Sequence, residues 1–185
     1  VLNQLFKFTP LQTSFGINLL ALNNGIPELL NLRRYLNLFT SFRKDIIFKR
    51  TKFHLNKTRD KAHLLLGLSI AIENIDKIID IIRNSKDSNE AKERLMSQKW
   101  KVPEDQFIIK FIEDENSNLI ENGSFKLSES QSKSILEIRL SRLTGLEREK
   151  LTEDLKECVE MIKEFLSILS SKTKLNEVLT NELTE

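Results

Sequence analysis

The segment from Lys49 to His63 gathers the side chains best suited to contact a polyanion. It carries six Lys or Arg residues against one Asp, and it holds both histidines of the chain. Lys and Arg neutralise phosphates and release counterions, so a helix that carries them could bind nucleic acid without sequence preference. The alternative is the solvated flank of a long helix, and the residue types leave both interpretations open. The candidate contacts are Lys49, Arg50, Lys52, Lys57, Arg59 and Lys61.

The other reactive side chains predict packing rather than chemistry. His54 and His63 are nine residues apart, and on a helix of about 3.6 residues per turn they point in opposite directions, so they cannot hold one metal ion. Cys158 is the single cysteine, and its place on an apolar stripe favours burial over redox chemistry. Tyr35 and Trp100, each the only residue of its type, are expected to pack. We therefore predict no catalytic residue, no metal site and no cofactor in this chain.

The composition is typical of a helical protein without a membrane span. The chain has 185 residues, with 5 Gly, 3 Pro and 30% charged residues, which is enough for one or two small domains. No apolar run approaches the roughly 20 residues that cross a bilayer, and the start lacks a signal-peptide pattern. We therefore expect a cytoplasmic protein with no membrane partner. Because the first residue is Val1 rather than Met, we also expect a piece of a longer protein.

The formal net charge of +2 hides an asymmetry along the chain. Residues 31–63 contain ten Lys or Arg against two Asp, so the rest of the chain is acidic overall. Positive charge concentrated in one segment indicates the kind of partner more clearly than the total charge does, and here it favours a polyanion.

The first 31 residues predict a β-hairpin that has lost its neighbours. A strand-like run covers residues 15–22, an Asn-Asn-Gly turn follows at 23–25, and a second short strand is expected around 27–30. Two strands alone do not form a stable sheet. The hairpin is therefore predicted to be the end of a larger domain.

A long amphipathic helix is predicted from Leu32 onward, because no proline occurs until well beyond residue 82. Such a helix is longer than a compact domain of this size covers, so it needs a partner helix along its length. The predicted apolar side consists of Leu32, Leu36, Phe39, Phe42, Ile46 and Phe53, continued by Leu55, Ala62 and Leu66.

The partner helix is predicted near the end of the chain. A stripe spaced 4, 3, 4, 3 and 4 residues apart, surrounded by charged residues, is typical of a coiled-coil seam. Thr144 with Glu147 fits a capping box that would start this helix. About 80 residues separate the two helices, so they can run out and back as an antiparallel pair. The seam consists of Leu151, Leu155, Cys158, Ile162, Phe165 and Leu169.

The segment between the two long helices is predicted to form a small helical knob. Asp87 with Glu90 and Ser128 with Gln131 fit two further capping boxes, whereas residues 97–127 look irregular and acidic. The knob has more apolar surface than it is expected to bury, which predicts a self-association surface. The candidate dimer contacts are Ile135, Leu136, Ile138, Arg139 and Leu140.

Four collinear segments resemble the A subunit of bacterial DNA gyrase, a type IIA DNA topoisomerase. They are TPLQTSFGINLLALNNG (9–25), KRTKFHLNKTRDKAHLLLGLSIAIENID (49–76), IIRNSKDSNEAKERLM (81–96) and LEIRLSRLTGLEREKL (136–151). The resemblance covers nearly the whole chain and is interrupted at residues 97–127. The A subunit of topoisomerase IV is the alternative. Leu66 and Lys49 depart from residues common in the family, which affects details of helix packing.

The resemblance implies a role in an ATP-dependent enzyme that changes DNA supercoiling by double-strand passage. In that family the matched region is the end of the tower domain, a coiled-coil arm and a knob. The knob pairs with its twin and forms the exit gate, or C-gate, for the transported duplex. The nucleophilic tyrosine lies in a preceding winged-helix domain, so this chain alone is expected to be inactive. The resemblance assigns Mg and ATP to the parent complex through its partner, the B subunit of gyrase.

The predicted fold class is mainly α. It combines a long antiparallel coiled-coil arm, a small helical dimerisation knob at its tip and a short β-hairpin remnant at the N-terminus. The expected partners are a second copy of the chain, bound through the knob, and a DNA duplex enclosed by the two arms. A stand-alone, non-catalytic helical adaptor for DNA binding and dimerisation is the remaining alternative. The predicted divisions are 1–31 (end of the tower domain), 32–69 (outgoing helix), 70–143 (C-gate knob) and 144–185 (returning helix and tail).

Overall fold

The computed structural model describes residues 1–101, 119–120, 124–138 and 145–184. The chain divides into two compact units, Val1–Ile46 and Ile47–Glu185. The described part is mainly helical with a β-hairpin near its start, which confirms the predicted fold class. None of its helices combines the length and apolar character needed to cross a bilayer.

The first unit contains the predicted hairpin. Helix α1 (Leu2–Phe8), which was not predicted, is followed by strands β1 (Leu19–Asn23) and β2 (Ile26–Leu30). The strands pair antiparallel, and their turn places Asn24 at φ 50° and Gly25 at φ 83°. Positive φ at both central residues is what a type I′ hairpin turn requires, and Asn-Gly provides it. The first strand begins later than predicted because the ladder ends where Leu19 pairs with Leu30.

Helix α2 (Leu32–Glu73) is one continuous helix of 42 residues. At about 1.5 Å per residue it is roughly 63 Å long. Its first turn is capped by Asn31, whose Oδ1 accepts a hydrogen bond of 2.8 Å from the Arg34 backbone N–H. The helix begins in the first unit, continues through the second, and ends four residues beyond the predicted end of the outgoing helix at residue 69.

The predicted apolar side of α2 is wrong in its first half. Leu32, Phe39 and Phe53 are all exposed, between 42% and 63%. From Ile47 onward the helix buries a second apolar stripe, which the seven-residue spacing from Leu32 to Phe53 did not select. The Leu55, Ala62 and Leu66 part of the prediction is confirmed. The buried stripe is Ile47, Thr51, Leu55, Ala62, Leu66 and Ile70.

Helix α6 (Gly145–Ser170), numbered after the short helices of the knob, is the predicted returning helix. Its seam is confirmed: Leu155, Cys158 and Ile162 are buried within the core that contains the α2 stripe. The two helices run antiparallel. The rings of His54 and Phe165 stack with centroids 6.2 Å apart, whereas Leu68, further along α2, shares a groove with Leu151, which precedes Phe165 on α6. The predicted cap at Thr144 lies outside the described residues.

A last helix, α7 (Lys172–Thr184), follows a break at Ser171. Its Leu179 is buried, and its Glu182 forms an ion pair with Arg50 of α2. The end of the chain is therefore attached to the outgoing helix.

The knob is built from short elements. They are α3 (Ile75–Arg83), α4 (Ser88–Ser97), β3 (Trp100–Lys101), β4 (Leu119–Ile120), β5 (Ser124–Phe125) and α5 (Glu129–Leu136).

The strands of the knob form a three-stranded antiparallel sheet in the order β3-β5-β4. The prediction of irregular loops over 97–127 is thus partly wrong, because strands of two residues are too short to show a period. Trp100 and Phe125 pair across this sheet and are almost fully buried. The Trp100 Nε1–H donates to the Leu95 carbonyl at 3.0 Å, so the packing role predicted for Trp100 is confirmed.

Both capping predictions in the knob are confirmed. The Asp87 carboxylate accepts a 2.7 Å hydrogen bond from the Glu90 N–H at the start of α4. At the start of α5, Ser128 Oγ accepts from the Gln131 N–H while Gln131 Oε1 accepts from the Ser128 N–H, which is a reciprocal capping box. Each cap satisfies backbone donors that the first helical turn leaves unpaired.

Candidate nucleic-acid interface and knob junction

The six predicted DNA contacts do not lie on one face of α2. At about 100° per residue, Arg50, Lys57 and Lys61 lie on one flank of the buried stripe and Lys52 and Arg59 on the other. Lys49 points away from the stripe. All are exposed except Arg59, which is half-buried. Between Lys49 and Lys61 the helix therefore carries positive charge on both flanks of the stripe and on the side opposite to it.

Arg50 and Lys61 each have a charged or ionisable neighbour within the chain. Arg50 forms its ion pair with Glu182 and keeps 47% of its side chain exposed. Lys61 is close enough to Cys158 to act on the thiol. Burial raises the pKa of Cys158, and the positive charge of Lys61 only partly opposes that effect. The thiol is fully buried, so the packing role predicted for Cys158 is confirmed.

Phe53 lies among these cations on the solvent side of α2. It is 63% exposed, and its ring is in a T-shaped arrangement with the His54 ring at a centroid distance of 5.7 Å. His54 in turn stacks on Phe165 of α6. The two predicted histidines thus have separate environments, since His63 lies at the junction with the knob.

The returning helix has the opposite charge. Residues 149–164 of α6 contain six acidic and three basic residues. Glu153, Glu157 and Glu160 are exposed on its surface. The pair of helices therefore has a basic side formed by α2 and an acidic side formed by α6. A polyanion would be attracted to the first and repelled by the second.

The junction between α2 and the knob is a polar cluster. The fully buried Gln131 donates from Nε2 to the His63 carbonyl at 2.8 Å, while its Oε1 accepts from the Ser128 N–H. The His63 ring places Nε2 2.8 Å from Ser128 Oγ. The side chain of Gln131 lies directly against Gly67. One side chain thus caps α5 and fastens that helix to α2.

The sequence identified Gln131 as a cap but missed its contact with α2. The available signal was Gly67, because a glycine inside a long helix costs about 1 kcal/mol relative to alanine and suggests a close approach. Ser132, the next residue, is also buried, and its Oγ has no hydrogen-bond partner among the described residues.

The predicted dimer contacts are divided between the core and the surface of the knob. Ile135 is 4% exposed and packs inside the core of its own chain. Leu136 and Ile138 are half-buried at the edge of that core. Arg139 and Leu140 lie outside the described residues. Self-association thus stays a prediction that rests on the half-buried pair.

In the described ranges, no three His, Cys, Asp or Glu side chains come together in a way that could hold a metal ion. Tyr35 is 39% exposed in the first unit and lines a shallow groove together with Leu30 and Phe39. The same groove is also lined by polar side chains, among them Asn23, Ser41 and Asp45.

The family model for the A subunits of DNA gyrase and topoisomerase IV matches residues 1–184, so the chain belongs to that family.

Similar proteins are DNA gyrase A subunits. Those of Rickettsia conorii and Granulibacter bethesdensis are 49% and 46% identical over 183 residues, which is 99% of this chain. The protein of Campylobacter fetus is 42% identical over 185 residues. The chain spans about a fifth of the length of these relatives, 18% to 20%.

Proposed function

We propose that this chain is the coiled-coil arm and dimerisation knob of a DNA gyrase A-type subunit. In this role it holds two subunits together while the DNA gate is open, and the separation of its knobs releases the transported duplex. The observation that carries the proposal is the antiparallel packing of α2 on α6, which ends in a compact core built from short elements. The family match over residues 1–184 supports the same assignment.

The role requires an interface that is stable yet reversible. Leu136 and Ile138 supply apolar surface at the edge of the knob, at roughly 25 cal/mol for each Å² buried, before the cost of association. A test is to co-express tagged and untagged copies and to measure how much untagged chain is recovered. Leu136→Glu with Ile138→Glu should abolish recovery. Leu169→Glu, which also places a charge at a half-buried apolar site but on the arm, should preserve it.

Circular dichroism should show that each variant keeps the helical content of the wild type. Recovery of untagged chain by the folded double variant at the wild-type level would contradict the proposed interface. Loss of recovery with Leu169→Glu alone would show that the arm rather than the knob carries association.

The basic side of α2 is the proposed lining of the cavity through which the duplex passes. Weak contacts without sequence preference would guide DNA without retaining it. The charge reversals Lys49→Glu and Lys57→Glu should weaken binding of a short duplex and flatten its salt dependence. The reversals Glu157→Lys and Glu160→Lys on α6 provide the matched comparison, and they should strengthen binding. Unchanged affinity in the α2 variant would leave α2 as a solvated flank.

The parent complex would work in the cytoplasm with the B subunit of gyrase, which would bring the ATP and Mg chemistry. The topoisomerase IV alternative predicts the same arm and knob, but the similar proteins described above are gyrase subunits. The reading frame upstream of Val1 distinguishes the adaptor alternative from the topoisomerase assignment. A winged-helix domain with a tyrosine there supports the topoisomerase assignment, and an unrelated domain supports the adaptor.

A further inference from the structure

Phe53 occupies the crest of α2, on the side opposite the stripe buried against α6. A side chain of this size that is 63% exposed leaves apolar surface without cover on a regular helix. Its neighbours on the helix surface are Lys49, Arg50 and Lys57, four before, three before and four after it, and all three are exposed. Side chains at these spacings lie next to each other, with Cβ atoms about 5–6 Å apart.

The charge around Phe53 selects the kind of partner. An apolar protein surface that covered the ring would have to desolvate several cations, which is costly unless each finds an anion. An anionic membrane would require a continuous apolar face. Ile46, seven residues before Phe53, is 36% exposed on the same side. Between Lys49 and Asp60, however, the ring is the only large apolar side chain on the solvent side of α2, so no continuous apolar face runs through the basic segment. A polyanion with apolar groups between its charges satisfies both the ring and the cations, and DNA has this chemistry.

We propose that a surface of α2 which we call the Phe53 crest binds DNA. It consists of Lys49, Arg50, Phe53 and Lys57, and Phe53 provides the part of the binding free energy that is not electrostatic. The proposal rests on the proposed placement of DNA beside α2 and adds a specific contact to it. A helix about 10–12 Å across fits the major groove, which is about 12 Å wide. With the ring at the centre, Lys49 lies on one side and Arg50 and Lys57 on the other, so cations can reach phosphates on both strands while Phe53 meets sugars or thymine methyl groups.

The salt dependence of duplex binding distinguishes the contribution of the Phe53 ring from that of the cations. In the full 185-residue chain, Phe53→Ala should weaken binding of a short duplex roughly fivefold and leave the slope of log affinity against log salt unchanged, because the ring displaces no counterion. Lys49→Gln and Lys57→Gln should each lower the magnitude of that slope by about 0.9. Asp60→Asn should strengthen binding, because it removes an acid near the crest.

Phe15→Ala is the matched control. It removes the same side chain from a position that is 87% exposed and lies outside the basic segment of α2, so duplex affinity should stay at the wild-type value. Since Phe53 is exposed, Phe53→Ala should melt at the wild-type temperature, which circular dichroism can verify.

A tryptophan probe reports the contact directly. Phe53→Trp should show emission that is quenched and shielded from acrylamide when duplex is added. The native Trp100 is 1% exposed, so wild-type emission should not respond and serves as the internal control. Vesicles of phosphatidylglycerol and phosphatidylcholine in equal parts should leave the emission of the Phe53→Trp variant unchanged.

The outcomes distinguish this inference from the proposed function. If the Lys variants weaken duplex binding but Phe53→Ala binds as the wild type does, the Phe53 contact is wrong and the cavity lining stands. If neither the Lys variants nor Phe53→Ala changes binding, both are wrong. A vesicle response equal to the duplex response would overturn the choice of DNA.

Discussion

Gly67 of α2 lies against the side chain of Gln131 of α5 so closely that a Cβ at position 67 would be 2.7 Å from Gln131 Cγ. Gln131 cannot turn away easily, because its amide is held at one end by Ser128 and at the other by the His63 carbonyl. This contact fixes the distance between the long helix and the knob.

Gly67→Ala should therefore destabilise the chain by about 1–3 kcal/mol, as overpacking does in other cores. The higher helix propensity of alanine, about 1 kcal/mol, acts in the opposite direction. Urea unfolding followed by circular dichroism measures the balance. Gly16→Ala is the control, because nothing lies within 4 Å of a Cβ there, and its stability should match the wild type. A Gly67→Ala chain more stable than the wild type would contradict the close contact.

A double-mutant cycle tests the contact itself. Gln131→Ala alone should cost about 1–3 kcal/mol, because it removes hydrogen bonds at a fully buried site. It also removes the atoms that obstruct position 67. The combined Gly67→Ala and Gln131→Ala variant should therefore lose less stability than the sum of the single changes, by about 1 kcal/mol or more. Strictly additive losses in urea unfolding would show that the two residues do not interact.

Two neighbouring serines should respond in opposite ways to alanine. Ser132 Oγ is buried without a hydrogen-bond partner in the described part of the chain, so Ser132→Ala should be neutral or stabilising. Ser128 Oγ caps α5 and contacts the His63 ring, so Ser128→Ala should cost about 1 kcal/mol. Thermal unfolding of the two variants measures the difference. A larger loss of stability for Ser132→Ala than for Ser128→Ala would contradict the assignment of Ser128 as the residue whose hydroxyl stabilises the fold.

Because of Cys158, the stability of the fold should depend on pH in the alkaline range. Burial raises the pKa of its thiol in the folded chain, so the unfolded chain releases the proton first as pH rises. The contribution of this group to stability is complete below the pKa of the unfolded thiol, about 8.5, and declines above it. The stability advantage of the wild type over Cys158→Ala should narrow as the pH rises above about 8.5. An advantage that widens as the pH rises above that value would contradict the raised pKa.

The α6 helix could be predicted from the sequence because its apolar residues, from Leu151 to Leu169, follow one heptad spacing and lie on a single side of the helix. On α2 the same reasoning failed at Phe39 and Phe53, because that helix has two apolar stripes and the choice depends on where α6 lies. The two-residue strands of the knob carried too few residues for a period. Gln131 was recognised as a cap, but its contact with Gly67 depends on how two distant helices pack, which local patterns do not encode.

In the proposed function, the knob joins two copies of this chain. Sedimentation equilibrium of the 185-residue chain measures that association, with Leu136→Glu and Ile138→Glu combined as the comparison. The proposed function predicts a reversible dimer at low micromolar concentration that the double variant converts to monomer. A wild-type chain that stays monomeric at high micromolar concentration would contradict the claim.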